Sequence, residues 1–204
     1  SAYIQSQKDV VAAQGAKLIA AQNLNVSGKG KLSLNGNQIQ ASLGSINLQA
    51  DSSNTDGLID IQGGTIYAGK DLNLYSSGDV NLQNLGFALE NSATRVKNIN
   101  GYSGRNLIWD NTAKALPQIS GKVVLEAENN LALTTTGLSS KDSIQLQGAQ
   151  LSLNSGLTSL NNISLTSEIA DLVLSNVLNA QNSIDVAALT GSITTKSLQA
   201  TSTG

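Results

Sequence analysis

Ile66-Tyr67-Ala68-Gly69-Lys70-Asp71-Leu72-Asn73-Leu74 decides how this chain folds. An apolar residue, a variable residue and a small residue are followed by three spacers and then by an apolar-polar-apolar triplet. The same arrangement returns as Leu18-Ile19-Ala20 with Leu24-Asn25-Val26, as Leu138-Ser139-Ser140 with Ile144-Gln145-Leu146, and as Leu178-Asn179-Ala180 with Ile184-Asp185-Val186. Ile39-Gln40-Ala41 with Ile46-Asn47-Leu48 carries one extra spacer. Weaker copies start at Ile119 and Leu157, and another opens at Leu198-Gln199-Ala200. Units beginning at 18, 39, 66, 119, 138, 157, 178 and 198 recur every 19 to 21 residues wherever nothing intervenes. A fixed period of that size marks stacked structural repeats.

A second apolar triplet follows inside the units: Leu32-Ser33-Leu34, Ile59-Asp60-Ile61, Val80-Asn81-Leu82, Leu131-Ala132-Leu133, Leu151-Ser152-Leu153 and Leu172-Val173-Leu174. Period-two triplets of this composition read as short strands with one buried face. The middle of the first triplet is Asn25, Asn47, Asn73, Glu126, Gln145, Ser164 and Asp185, all polar as outward positions should be. Just before it stand Asn23, Ser45, Asp71, Ser143, Asn162 and Ser183, small polar residues that suit a corner. Apolar residues at i and i+2 do not make a helical stripe. Leucine-rich repeats share the period, but their fixed Asn or Cys is not found at one constant offset. The expected fold is therefore all-β: a right-handed parallel β-helix with coils stacked ~4.8 Å apart. About nine such coils make a rod on the order of 40 Å long.

Composition narrows the chemistry. The 204 residues include no His, no Cys and no Met, which removes imidazole and thiolate metal sites, Ser-His-Asp triads and disulfides. A net charge of −2 lacks the basic footprint of a nucleic-acid binder. No apolar run approaches the ~18 residues of a membrane span, so no membrane insertion is expected. Charged residues make up 13% of the chain, and 40% apolar content is ample for a core. The surface must then be built from Ser, Thr, Asn, Gln and Gly.

The period fails twice. The coil starting at Ile39 is too long, and its surplus falls in the turn-forming run Asp51-Ser52-Ser53-Asn54-Thr55-Asp56-Gly57. Asp51, Asp56 and Asp60 do not match the alternate-residue spacing of a calcium loop, so a solvated loop is expected and no metal or cofactor. The larger break, Phe87 to Gln118, reads as an insertion interrupting the repeat. It holds the only Phe (Phe87), Trp (Trp109) and Pro (Pro117), one of four Tyr (Tyr102) and both Arg (Arg95 and Arg105). Four of the twelve basic and two of the fourteen acidic residues lie there, +2 against −4 elsewhere. Phe87 and Trp109 are expected to anchor this segment on the rod. Arg95, Tyr102, Arg105 and Trp109 are the candidates for contact with a partner, since Trp, Tyr and Arg dominate interface energetics; both roles can hold at once.

No catalytic residue is expected. A glycan-cleaving β-helix needs carboxylates or a base converging on one bond. Asp71, Glu126, Asp142 and Asp185 fall at different offsets or on non-adjacent coils, and Asp51 and Asp79 lie in turns. A phosphate-binding Gly-rich loop followed by Lys-Ser/Thr is missing too.

At the units Leu18 to Val26, Ile66 to Leu74 and Leu178 to Val186, the sequence resembles the filamentous haemagglutinin repeat region of large bacterial exoproteins secreted by the two-partner route. That family includes haemagglutinin adhesins and the CdiA toxin carriers of contact-dependent growth inhibition. The resemblance implies a secreted filament on the surface of a Gram-negative bacterium, with residues 1–204 forming one β-helix segment stacked on adjoining coils. It further implies a partner on a neighbouring cell, an outer-membrane protein or a surface glycan. The family's Asn-Pro-Asn secretion-domain motif is missing, which points to interior filament or a receptor-recognition part of it. Alternatives are a spacer without a partner and, from another class, a carbohydrate-active β-helix enzyme.

Overall fold

The computed structural model describes residues 1–53, 56–87 and 96–200. Those residues form no helix; their parallel strands wind into a β-solenoid of about nine turns. Three faces repeat in each turn. On the first, Ala2–Ser6, Leu24–Gly28, Ile46–Ala50, Leu72–Ser76 and Ile99–Ser103 stack in register. Residues 123–127, 144–148, Asn162–Ser167 and Ser183–Ala188 continue that ladder. The second face runs from Val10–Val11 through Lys31–Ser33, Leu58–Gln62, Asp79–Gln83 and Leu107–Asn111 to residues 193–195.

The third face comes in two blocks. Lys17–Ala20, Gln38–Ala41, Thr65–Ala68 and Gly86–Phe87 form the first. Leu138–Ser140, Leu157–Ser159 and residues 178–180 and 198–200 form the second.

The alternation predicted from the triplets fills the bore. Leu24, Ile46, Leu72, Ile99, Val123, Ile144 and Ile163 share one inward row, and Leu32, Ile59, Val80, Leu107, Leu131 and Leu172 another, all buried. Corners use small polar residues, the expected Asn23 and Ser45 among them, and Asn98 in a coil whose corner was not expected. Asn23 Oδ1 accepts from the Ser45 amide (2.9 Å), Ser45 Oγ from the Asp71 amide (3.3 Å), and Asn98 Oδ1 from the Lys122 amide (2.8 Å). Each of these corners thus supplies an acceptor to a backbone amide of the next coil.

The segment 87–118 departs from the expectation of one block that interrupts the repeat. Ile99–Ser103 and Leu107–Asn111 are ordinary rungs, paired above with Leu72–Ser76 and Asp79–Gln83 and below with residues 123–127 and 131–135. Phe87 itself occupies the unit-start row, opposite Ile66. The rungs escape pattern reading because their inward positions are atypical. Gly101 stands where the neighbouring coils place Leu74 and Leu125, and Trp109 where they place Leu82 and Leu133. The missing Gly101 side chain leaves room that Leu125 and Leu107 occupy: an added Cβ would lie 2.9 and 3.1 Å from their methyl carbons.

Two register expectations also shift. Ile119 bridges Ser140 rather than Leu138, two residues out of phase with the expected unit start. The first triplet of that coil is Val123-Val124-Leu125, so Val124 and not Glu126 takes the outward middle position, opposite Gln145. A β-branched residue suits a strand even on its open side, which is why polarity alone misplaced the register there.

Candidate functional site

Two rows of outward side chains on the first face enclose a shallow groove along the solenoid axis. One row is Asn47, Asn73, Asn100 and Val124; the other is Gln49, Tyr75, Tyr102 and Glu126, with the strand backbone at Leu48, Leu74 and Gly101 as floor. Its volume is about 300 Å³. Alternation sets this geometry, since residues i and i+2 of every strand point the same way and stacked coils repeat them rung after rung.

The asparagines form a ladder. Asn47 Nδ2 donates to Asn25 Oδ1 (2.8 Å), Asn73 Nδ2 to Asn47 Oδ1 (2.7 Å) and Asn100 Nδ2 to Asn73 Oδ1 (2.8 Å). Opposite them the rings of Tyr75 and Tyr102 stack with centroids 5.4 Å apart and planes 13° from parallel. Tyr102 Oη donates to Glu128 Oε1 at 2.8 Å, which fixes the lower ring. That hydrogen bond, together with burial and the Glu128 charge, pushes the Tyr102 phenol up to about 12. Tyr75 remains 43% exposed.

The residues singled out in the sequence fall in different places. Tyr102 lines the groove. Trp109 is 1% exposed, with its ring centroid 6.3 Å from that of Phe87, so it belongs to the bore and is not presented to a partner. Phe87 is partly buried against the same core. Arg105 sits at the corner between the first and second faces, ion-paired with Asp79 through Nη2 and Oδ2. Asp79 Oδ1 also accepts from the Asn106 amide (3.1 Å) and Asn106 Nδ2 (2.9 Å). Burial pushes the Asp79 carboxyl up, but the hydrogen bonds from Arg105 and Asn106 outweigh it and hold it below the ordinary carboxylate value. Arg105 thus spends its Nε and one Nη2 donor on Asp79, while its side chain stays 43% exposed. Arg95 lies outside the described residues.

Asn47, Asn73, Asn100, Tyr75 and Glu126 are not among the partner-contact residues expected from composition, although the sequence carries a signal for them. Asn73-Leu74-Tyr75 and Asn100-Gly101-Tyr102 repeat Asn-x-Tyr at equivalent places in consecutive coils. Of the acids weighed as cation ligands, Asp60 pairs with Lys31 at 3.0 Å and Asp51 with Lys29 at 3.8 Å. Among the described residues, no group of three or more acidic side chains is placed to hold a metal ion. Two other depressions, about 410 and about 460 Å³, are lined by aliphatic, hydroxyl, amide and Asp171 side chains and contain no aromatic ring.

No family model, no curated protein and no solved structure matches this chain.

Proposed function

We propose that the chain is a segment of an extracellular filament of the two-partner-secreted haemagglutinin or CdiA type. It displays a surface that recognises a receptor, an outer-membrane protein or a glycan, on a cell next to the Gram-negative bacterium that secretes it. One observation carries this reading: the aromatic and amide groups stand in an ordered outward array on a solenoid whose inward positions are given over to packing. A solenoid holds such an array rigidly, which lowers the ordering cost of binding. The role proposed is display without catalysis. The regular stacking of rungs favours the competing reading, a spacer with no partner.

Cell attachment separates the two. Beads coated with the purified chain are expected to adhere to neighbouring-type Gram-negative cells, and beads coated with a Tyr75→Ala/Tyr102→Ala variant to adhere less, with folding of both checked by circular dichroism. Adhesion no better than that of uncoated beads across a panel of such cells would favour the spacer.

A further inference from the structure

We infer that the axial groove of the first face is a binding site for a linear, uncharged glycan. The inference rests on the reading of the chain as a recognition segment and names the chemistry its surface takes.

Periodicity comes first. Asn73 with Tyr75 and Asn100 with Tyr102 present the same pair of groups on two successive rungs, and Asn47 with Gln49 extends the amide row to a third. Rungs of a parallel stack lie ~4.8 Å apart, so the groove offers equivalent contacts at that step. A compact ligand would use one rung, whereas a linear polymer uses all of them. An extended peptide repeats its same-facing groups only every two residues, about 6.7 Å, and falls out of phase within two rungs. A chain of pyranose rings advances by close to one rung per sugar.

Hydrogen-bonding capacity points the same way. A primary amide has two N–H donors and two acceptor lone pairs. Asn47 and Asn73 each spend one donor and one acceptor on the ladder. What remains on each of these two amides is one donor beside one acceptor, and a hydroxyl, being both, complements that pair. The amides cannot swing away, because the ladder bonds hold them. On the other wall the stacked tyrosines, pinned through Glu128, give a fixed amphipathic edge for the C–H-rich flanks of sugar rings.

Charge selects among glycans. Among the described residues no Lys or Arg lines the groove; the acidic side chain there is Glu126, with Glu128 close by on Tyr102. Anionic polymers such as uronates, sulfated glycans and nucleic acids meet only like charge from these described side chains.

The test uses the whole chain over a panel of immobilised linear oligosaccharides, neutral and anionic, each in lengths of two to six sugars, with an extended-peptide library alongside. Retention on at least one neutral glycan is expected. Affinity should strengthen with length up to about four sugars and then level off, since the groove spans four rungs. Tyr75→Ala should weaken that binding by roughly tenfold. Ile108→Ala, on the second face, should leave it unchanged. Loss of folding in the Tyr75 variant would not shelter the proposal, because the length series is measured on the unaltered chain. Preference for anionic glycans or peptides, no length dependence, or no retention on any neutral glycan would overturn it. Bead adhesion that survives periodate oxidation of the target cells but not protease treatment would overturn the glycan while leaving receptor recognition standing. Beads that adhere to no cells at all would remove the recognition reading itself.

Discussion

Replacing Trp109 by Ala probes whether the chain's only Trp is part of the bore or of a surface. Trp109 is 1% exposed, stacks in register between Leu82 and Leu133, and packs against Phe87. Truncating a buried aromatic residue to Ala costs about 3–5 kcal/mol through lost transfer energy and the cavity left behind. Its indole N–H reaches Asn111 Oδ1 only at 3.4 Å, too long to add much. Asn111 keeps better partners without it: the Leu85 amide at 2.6 Å, and the carbonyls of Leu85 at 3.1 Å and Lys114 at 2.7 Å. No orphaned polar group is created, so the loss stays within the range for truncation alone. At about 2–4 °C per kcal/mol for a chain of this size, the melting temperature should fall by roughly 10 °C. Because the affected coil lies mid-stack and each coil is stabilised by its neighbours, the melt should also broaden or split. The assay is thermal and urea unfolding followed by circular dichroism, with Ile108→Ala as the comparison. Ile108 is adjacent in sequence but points outward, 42% exposed, and its truncation should stay within about 0.5 kcal/mol. Equal effects of the two substitutions would mean that Trp109 is not in the bore, and the register of that rung would be refuted.

Further outcomes follow from the corners and the titrating groups. Gly64 has φ +79°, and an added Cβ would lie 2.3 Å from the Asn37 carbonyl oxygen, whereas Gly63, at φ +68°, has open space. Gly64→Ala should therefore lower stability by at least ~2 kcal/mol in urea titration, and Gly63→Ala by only the ~1 kcal/mol of its left-handed backbone. Burial pushes the Asp60 carboxyl up, but hydrogen bonds from Lys31, Gln62 and Asn35 outweigh it, so Asp60, like Asp79, titrates below its ordinary value. The stability these carboxylates contribute is present above the unfolded value of about 3.9 and is lost as pH falls through their folded values. Arg105→Ala should flatten the acid limb of a melting-temperature profile; an unchanged limb would rule Asp79 out as a contributor. Tyr102 behaves in the opposite sense. Its folded value of about 12 exceeds the ordinary 10.0, so its contribution is complete below pH 10 and disappears as pH rises through 12. Ultraviolet titration of the phenolates, compared with that of Tyr102→Phe, should show Tyr102 ionising late, and Glu128→Gln should bring it back toward the ordinary value.

The amino-acid sequence by itself determined the solenoid. Leu, Ile and Val at every second position, with small polar residues before each triplet, permit few other ways of burying an apolar face, and the repeat distance sets the coil. Local spacing could not determine which residues meet across coils, because coils differ in length and a shift of two residues keeps the alternation intact. Ile119 and Glu126 were misplaced for that reason, and Gly101 and Trp109 hid a regular rung inside what read as an insertion. The site followed the same division. Composition drew attention to scarce aromatic and Arg residues, and of these Tyr102 reached the surface groove, Trp109 went into the bore, and Arg105 was engaged by Asp79. Only the stacking brought Tyr75 onto Tyr102 and lined Asn47, Asn73 and Asn100 into one ladder. The physical reason is that a groove running along the axis is made of residues 26 and 27 positions apart in the chain, and their alignment is set by hydrogen-bonded register between coils.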